Sequence, residues 1–152
     1  MKKDGLYYKG ANSMDVSGYE GLVVWNKAVE LSKEVGLLTA KLPRHEQYKL
    51  ASQLRSAADS ISSNISEGSG RSSIRDYMNF LHNAKGSTLE VQTQLRLCVE
   101  HGYLTKDDIK KAKNLTISVR KKLIGLIGAL KEKEEKEREE KKQYRKKQDN
   151  VL

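Results

Sequence analysis

The best candidates for binding chemistry in this 152-residue chain are basic side chains between positions 106 and 121. At 3.6 residues per turn, five of them share one side of a helix: Lys106, Lys110, Lys113, Arg120 and Lys121. Cations in such a row can neutralise successive phosphates of a nucleic acid, so these residues are candidate nucleic-acid-binding residues. The alternative is a solvated basic helix face that binds nothing.

The whole chain has a basic surplus, with 29 lysines and arginines against 20 acidic residues and a net charge of +9. Residues 1–130 hold 20 basic and 13 acidic side chains, whereas residues 131–152 hold 9 and 7. This surplus favours a polyanionic partner, which is RNA, DNA, an anionic membrane surface or an acidic protein. Trp25, Tyr77 and Phe80 fit core or interface positions better than a base-stacking surface. Any nucleic-acid contact is therefore predicted to involve the backbone and not the base sequence.

Arg55, Arg71 and Arg75 are predicted to extend the basic surface if self-association brings subunits together. Residues 68–73 precede a predicted helix whose free amides could hold a phosphate. The segment lacks the Gly-Lys-Ser or Gly-Lys-Thr of a P-loop, and a plain turn between two helices is the alternative.

Four polar residues fall in or beside apolar stripes, and they are predicted to form a structural polar network: Asn64, Glu67, Arg71 and Glu90. Buried polar groups need partners, and a satisfied network can fix helix register or a subunit contact. A ligand site at one end of the bundle is the alternative.

Catalytic chemistry finds little support in the sequence. His45, His82 and His101 are scattered and belong to no Glu-x-x-His or His-Glu-x-x-His pattern, so no metal site is predicted. Cys98 lies on an apolar stripe without an obvious base, which favours core packing over nucleophilic chemistry. We therefore expect no enzyme activity and no cofactor.

The single cysteine excludes an internal disulfide and fits a reducing compartment. The N-terminus has no apolar run typical of a signal peptide, and no stretch approaches about 18 consecutive apolar residues. These features predict a cytoplasmic protein without a membrane partner.

Apolar residues at helical spacing predict four helices after a loose N-terminal arm at residues 1–18. The first is predicted from about residue 21 to 41, before Pro43, and the second from about 46 to 67, with Gly68 as a left-handed cap. The third begins near Ser72 or Ser73 and ends before Gly102. The fourth follows Thr105, an N-cap candidate.

Short loops force neighbouring helices to run in opposite directions. The predicted fold is therefore an all-α, antiparallel up-down-up-down four-helix bundle over residues 19–130. Residues 131–152 continue the helical pattern without an apolar stripe, and oppositely charged pairs at helical spacing support a charged helical or frayed tail.

The order of several short motifs resembles a known family over roughly residues 20–130. These motifs are Leu42-Pro43, Gln53-Leu-Arg55, Asn64-Ile-Ser-Glu-Gly68 and Gly102-Tyr-Leu104, with Trp25 and Arg71 at their expected places. The chain resembles the four-helix bundle proteins encoded in intervening sequences of bacterial 23S rRNA genes. It is more distantly similar to accessory variability determinant proteins of diversity-generating retroelements.

This resemblance implies a bundle that assembles as a homopentamer around a central pore. The retroelement relatives imply binding to nucleic acid and to a reverse transcriptase. Ser56 stands where the family often has a second basic residue, Ser62 where it often has proline and Ser66 where it often has alanine. We expect a non-catalytic homo-oligomer that binds nucleic acid or a nucleic-acid enzyme. The alternative is a protein-interaction scaffold without nucleic-acid affinity.

Overall fold

The computed structural model describes residues 22–151, which form four α-helices, one short 3₁₀ turn and no β-strand within that range. The elements in chain order are α1 (Val23–Thr39), the 3₁₀ turn (Arg44–Glu46), α2 (Leu50–Ser69), α3 (Ile74–Glu100) and α4 (Lys110–Asp149). The prediction of an all-α chain with four helices is confirmed. The N-terminal arm predicted at residues 1–18 lies outside the described residues.

Each described helix contacts two others, in the cyclic order α1, α2, α3, α4 and back to α1. Between α2 and α3, Gln94 Nε2 donates to Gln53 Oε1 at 3.1 Å, and the hydroxyls of Ser60 and Ser87 lie 2.5 Å apart. A later residue of α2 therefore contacts an earlier residue of α3, as the pairs 53–94 and 60–87 show.

The predicted apolar stripes converge on one core. The side chains of Leu31, Leu54, Leu81 and Leu123, one from each helix, are fully buried. Fully burying a side chain of this size stabilises a fold by about 1.5–3 kcal/mol. The buried hydroxyl of Thr116 donates to the Ala112 carbonyl oxygen at 2.7 Å, so this polar group in the core is satisfied.

Both ends of α3 match their predicted capping residues. The hydroxyl of Ser73 accepts a hydrogen bond from the Asp76 backbone N–H at 3.1 Å. At the other end, Gly102 has φ +75° and its N–H donates to the Val99 carbonyl at 2.9 Å. The Tyr103 N–H donates to the Cys98 carbonyl at 2.9 Å, which completes a Schellman motif.

The turn before α4 is closed by a reciprocal pair of hydrogen bonds. The Asp108 N–H donates to the Thr105 hydroxyl at 3.0 Å, and the Thr105 N–H donates to Asp108 Oδ2 at 2.8 Å. These bonds from Thr105 lower the pKa of Asp108, and the nearby Lys41 ammonium acts in the same direction. Thr105 caps this turn as predicted, while the α-helix itself begins at Lys110.

The predicted start of the second helix is wrong by four residues. Residues 44–46 form a separate 3₁₀ turn, and α2 begins at Leu50. The side chain of Gln47 explains the interruption, because its Nε2 donates to the carbonyls of Thr39 and Leu42 at 2.9 Å each. These bonds satisfy the end of α1 and hold residue 47 outside the helix.

The prediction that Gly68 is a left-handed cap is also wrong. Gly68 is a buried residue inside α2, and among the described residues only Gly102 has a positive φ. A Cβ atom at Gly68 would lie 2.7 Å from the Phe80 Cβ and 2.9 Å from the Tyr77 Cδ2. Glycine is therefore required here for the close approach of α3, and not for backbone freedom.

We predict that Gly68→Ala lowers the free energy of unfolding by about 1–3 kcal/mol, because the added methyl group overpacks the α2–α3 contact. Gly86→Ala is the matched control, since Gly86 is an exposed residue of α3 and a Cβ there meets nothing within 4 Å. The control is expected to gain up to about 1 kcal/mol from helix propensity. Urea denaturation of both variants measures the difference, and equal stabilities would contradict the proposed role of Gly68.

Candidate nucleic-acid interface

Four of the predicted nucleic-acid-binding residues lie exposed on α4 or in the turn before it. We call them the lysine strip: Lys106, Lys110, Lys113 and Lys121. The capped turn at Thr105 and Asp108 fixes the direction in which α4 leaves the bundle, and the helix then repeats these side chains at one-turn or two-turn intervals. Three of the strip's ammonium groups lie along about 17 Å of α4, and the fourth, that of Lys106, lies in the turn before it.

Arg120 differs from these lysines. Its side chain is half-buried, and its Nε atom is buried without a hydrogen-bond partner in the described part of the chain. Its aliphatic stem therefore packs against the bundle, and it presents less charge to solvent than the lysines.

A cavity of about 310 Å³ adjoins the N-terminal end of the strip, between the end of α3 and the start of α4. Val99 and Ile109 form apolar parts of its lining, and Arg96, Lys106 and Lys113 supply cationic groups. The Arg96 Nε pairs with Glu100 at 2.7 Å, which partly neutralises that arginine. The cavity therefore offers an anion two lysines beside an apolar surface.

The opposite flank of α4 has mixed charge. A groove of about 560 Å³ between α1 and α4 is lined by Lys27, Lys110 and Lys111, but also by Glu30 and Asp107. The Lys111 ammonium also pairs with Glu34 on α1 at 3.4 Å. The excess of positive charge therefore lies on the α3 side of the strip.

The structure does not bring the three predicted arginines to the lysine strip. Arg55 donates from Nη2 to the Gln47 carbonyl at 3.0 Å and braces the turn before α2. Arg71 pairs with Glu67 at 2.7 Å, and its guanidinium carbon lies 4.6 Å from the centre of the Phe80 ring.

Arg75 lies at the start of α3, where its Nε is 3.9 Å from Glu134 on α4. Arg96, which lines the cavity beside Lys106, is about 30 Å further along the same helix. Arg71 and Arg75 therefore lie at the opposite end of the bundle from the start of the strip.

Among the four residues of the predicted polar network, the structure pairs Glu67 with Arg71. Asn64 Nδ2 donates to the Ser60 carbonyl within α2 at 2.7 Å, and Glu90 is exposed on α3. Of residues 68–73, the first two end α2 and residues 70–73 join it to α3 by a turn in which the Arg71 N–H donates to the Gly68 carbonyl at 3.1 Å.

Sequence reasoning missed a cluster where the α1–α2 and α3–α4 connections meet. The Tyr103 hydroxyl donates to Glu46 Oε1 at 3.1 Å and lies 3.4 Å from His45 Nε2. The His101 ring stacks on Tyr103 with centroids 5.7 Å apart. Short loops predict that these two connections lie at the same end of the bundle, so that expectation together with Pro43 and Gly102 was the signal that could have joined them.

Burial and hydrogen bonding oppose each other at Glu46. Partial desolvation raises the pKa of this carboxyl, but hydrogen bonds from the Tyr103 hydroxyl and the Leu50 N–H outweigh it, so the net pKa is lowered. Burial and the bond to Glu46 raise the pKa of Tyr103. The neutral tyrosine therefore donates to an ionised carboxylate at neutral pH.

Cys98 is fully buried below this end of the bundle, and burial raises the pKa of its thiol. A neutral, inaccessible thiol is a poor nucleophile. Within residues 22–151, no group of three or more His, Cys, Asp or Glu side chains is placed to hold a metal ion. None of the helices over the same residues is both long and apolar enough to cross a membrane.

The fold and the lysine strip define a basic helical-bundle protein. The family model for the 23S rRNA-intervening sequence protein matches residues 20–125, and the chain belongs to this family. A comparison with curated proteins gives no match.

Among solved structures, the chain is similar to a protein of unknown function from the S23 ribosomal protein family of Bacteroides thetaiotaomicron VPI-5482. The two are 25% identical with a TM-score of 0.65, and the match covers 69% of this chain and 98% of the other.

We predict that Tyr103→Phe raises the pKa of Glu46, because it removes one of the hydrogen bonds that favour the carboxylate. A carboxyl whose folded pKa is depressed stabilises the fold above its ordinary value of 4.5, and this stabilisation is lost as the pH falls through the lower, folded value. Wild-type and variant stabilities should therefore differ most at neutral pH and converge as the pH falls from 4.5 through the lower, folded value.

Tyr48→Phe is the control for this comparison, since the Tyr48 side chain is 93% exposed. Denaturation from pH 3 to 7 and an NMR titration of the Glu46 carboxyl measure both effects. A constant stability difference across that range would contradict the coupling of Tyr103 to Glu46.

Proposed function

We propose that this chain is a non-catalytic, self-associating bundle of four antiparallel helices that binds the phosphate backbone of RNA or DNA through the lysine strip. The observation that carries the proposal is the exposure of Lys110, Lys113 and Lys121 along one side of α4 and of Lys106 in the turn before it. Each phosphate that such a side chain neutralises releases condensed counterions, which supplies affinity without sequence reading.

Contacts between helices support the up-down-up-down arrangement. Arg75 at the start of α3 pairs with Glu134 late in α4, and Glu34 late in α1 pairs with Lys111 early in α4. Gln53 and Gln94 relate α2 to α3 in the same way. In this arrangement, residues 131–149 are a charged extension of the last helix.

The chemistry of the strip favours nucleic-acid backbone over a small ligand. The cavity beside Lys106 and Lys113 has room for a phosphate and an attached sugar, and the remaining strip residues are open to solvent. Of the exposed tyrosines in residues 22–151, Tyr48 follows the 3₁₀ turn, and Tyr144 lies on α4 about 35 Å beyond Lys121. Contacts are therefore proposed with phosphates and not with stacked bases.

The absence of catalysis is part of this proposal. It rests on the burial and raised pKa of Cys98 and on the structural use of the Glu46–Tyr103 pair. A buried free thiol also fits a reducing cytoplasm, which is the proposed location.

Self-association is proposed from the resemblance to ring-forming bundles and is supported by large apolar side chains left exposed on several helices. They are Val23, Val29, Leu37, Leu89, Leu97 and Ile124, with exposures of 38–60%. Apolar groups on the surface are common one by one, but a contact between copies would bury them. The assembly proposed is a homopentamer.

A second candidate is a scaffold that binds a protein, such as a reverse transcriptase or another nucleic-acid enzyme, and has no nucleic-acid affinity of its own. The same exposed apolar side chains favour it, since a protein partner would cover them. The two candidates predict different results when the strip charges are removed: only the first predicts a loss of affinity for nucleic acid.

We expect the variant with Lys106, Lys110, Lys113 and Lys121 changed to Gln to lose affinity for labelled RNA and duplex DNA. The slope of log affinity against log salt should fall by about 3, since each phosphate contact contributes about 0.7 in single strands and 0.9 in duplex DNA. The charge-matched control changes Lys33, Lys49, Lys131 and Lys136 to Gln, all exposed elsewhere. If both variants bind as the parent does, the strip is not the interface. If the parent binds nothing at low salt, the scaffold candidate is favoured.

Light scattering coupled to size exclusion should give the mass of five chains at micromolar concentration. High salt should leave that mass unchanged if apolar burial holds the ring together, because salt screens charge pairs but not apolar contacts. A monomeric mass would refute the ring.

A further inference from the structure

The last part of α4 carries a segregated charge pattern. Residues 131–140 contain four basic and six acidic side chains, whereas residues 141–149 contain five basic and one acidic. The helix runs without interruption to Asp149, and every side chain from Arg138 to Val151 is exposed. Residues 141–149 therefore form a cationic tip that follows an acidic segment, residues 131–140, on the same helix.

Arg138 and four of the five basic residues of the tip share one helix face, and Lys147 lies off it. They follow the spacing i, i+3, i+4, i+7 and i+8, and we call them the arm face: Arg138, Lys141, Lys142, Arg145 and Lys146. At about 100° per residue they fall within a sector of about 140°, and they extend for about 12 Å along the axis. Five of the six basic residues in 138–149 fall in this sector, and Asp149 falls there with them.

The arm face stands clear of the bundle. Leu130 is the last fully buried residue of α4, and Glu134 meets Arg75 at the start of α3. Residues 138–149 continue for about 17 Å beyond that region. The match to the family model ends at residue 125, so the arm is an addition to the shared bundle.

We propose that the arm face is a second phosphate-binding surface, separate from the lysine strip, that takes the backbone of a single nucleic-acid strand. Its length of about 12 Å spans three to four phosphates of one strand at the duplex rise of about 3.4 Å per nucleotide. The proposal stands on the residues of the arm alone and does not depend on the lysine strip.

Other partners fit the arm less well. A coiled-coil partner requires an apolar seam and insertion into a membrane surface requires an apolar face, but Tyr144 is the only large apolar side chain in residues 138–149. Within the face, Lys142 pairs with Glu139 at 2.7 Å. Both side chains are more than half exposed, so solvent screens this pair and a phosphate can replace the carboxylate.

The test uses the full chain with Lys141, Lys142, Arg145 and Lys146 changed to Gln. The control changes Lys131, Lys133, Lys136 and Lys147 to Gln, which removes the same charge from the same helix outside the arm face. Gln keeps the helix propensity, and circular dichroism checks that the arm remains helical. Affinity for a labelled 20-nucleotide oligouridylate and an oligothymidylate is measured by anisotropy across a salt series.

We expect the arm-face variant to lose affinity about tenfold or more at low salt and its salt slope to fall by about 2–3, while the control changes by less than about threefold. Equal losses of affinity in the two variants would show that only the total charge of the helix matters and not its position, and would overturn the proposal. An unchanged arm-face variant would overturn it as well.

Two further outcomes distinguish this proposal from the alternatives. If the strip variant binds normally while the arm-face variant does not, the arm proposal stands and the function proposed for the strip fails. If the arm-face variant loses affinity only for phosphatidylserine vesicles and keeps its affinity for both oligonucleotides, the partner is a membrane and the proposal fails.

Discussion

The close approach of α2 and α3 is the contact on which the rest of the bundle depends. It forms the most extensive helix pair in the described chain. Small residues permit it, since Ser60 and Ser87 touch through their hydroxyls and Gly68 lies against the Cβ of Phe80. Near the other end, Gln53 and Gln94 add a hydrogen bond between the same two helices. Three points along one interface leave little freedom for α2 to slide along α3.

The end of the bundle that carries the two longer connections fixes α4 relative to this pair. Tyr103 ties the turn after α3 to Glu46, and Gln47 ties the same region to the end of α1. Lys41 then reaches Asp108, which closes the turn before α4, at 3.6 Å. These connections set where α4 begins, and hence which of its sides is left open to solvent. The position of the lysine strip is in this sense a consequence of polar contacts in the connections, whereas apolar burial holds the helices together.

The sequence predicted the helices and the core well because apolar periodicity reports burial directly. It also predicted the caps Ser73 and Gly102, since each acts through its own local backbone. Gly68 shows where such reasoning fails. A glycine near a helix end is typical of a C-terminal cap. Only the contact with the neighbouring helix shows that position 68 must lack a Cβ. The start of α2 failed for a similar reason, because Gln47 acts through carbonyls of the preceding helix.

The candidate site was less predictable than the fold. Spacing alone placed Lys106, Lys110, Lys113 and Lys121 on one side of a helix, where the structure leaves them exposed. Spacing could not show that Arg55 braces a turn or that Arg71 covers Phe80, since both partners depend on tertiary folding. The two proposed cationic surfaces lie on one helix, with about 30 Å between Lys121 and Lys141. That separation exceeds a Debye length of about 8 Å at physiological ionic strength, and the acidic segment lies between them. Their contributions to binding a polyanion should therefore add independently, and one strand must be long enough to span the acidic segment before it can use both.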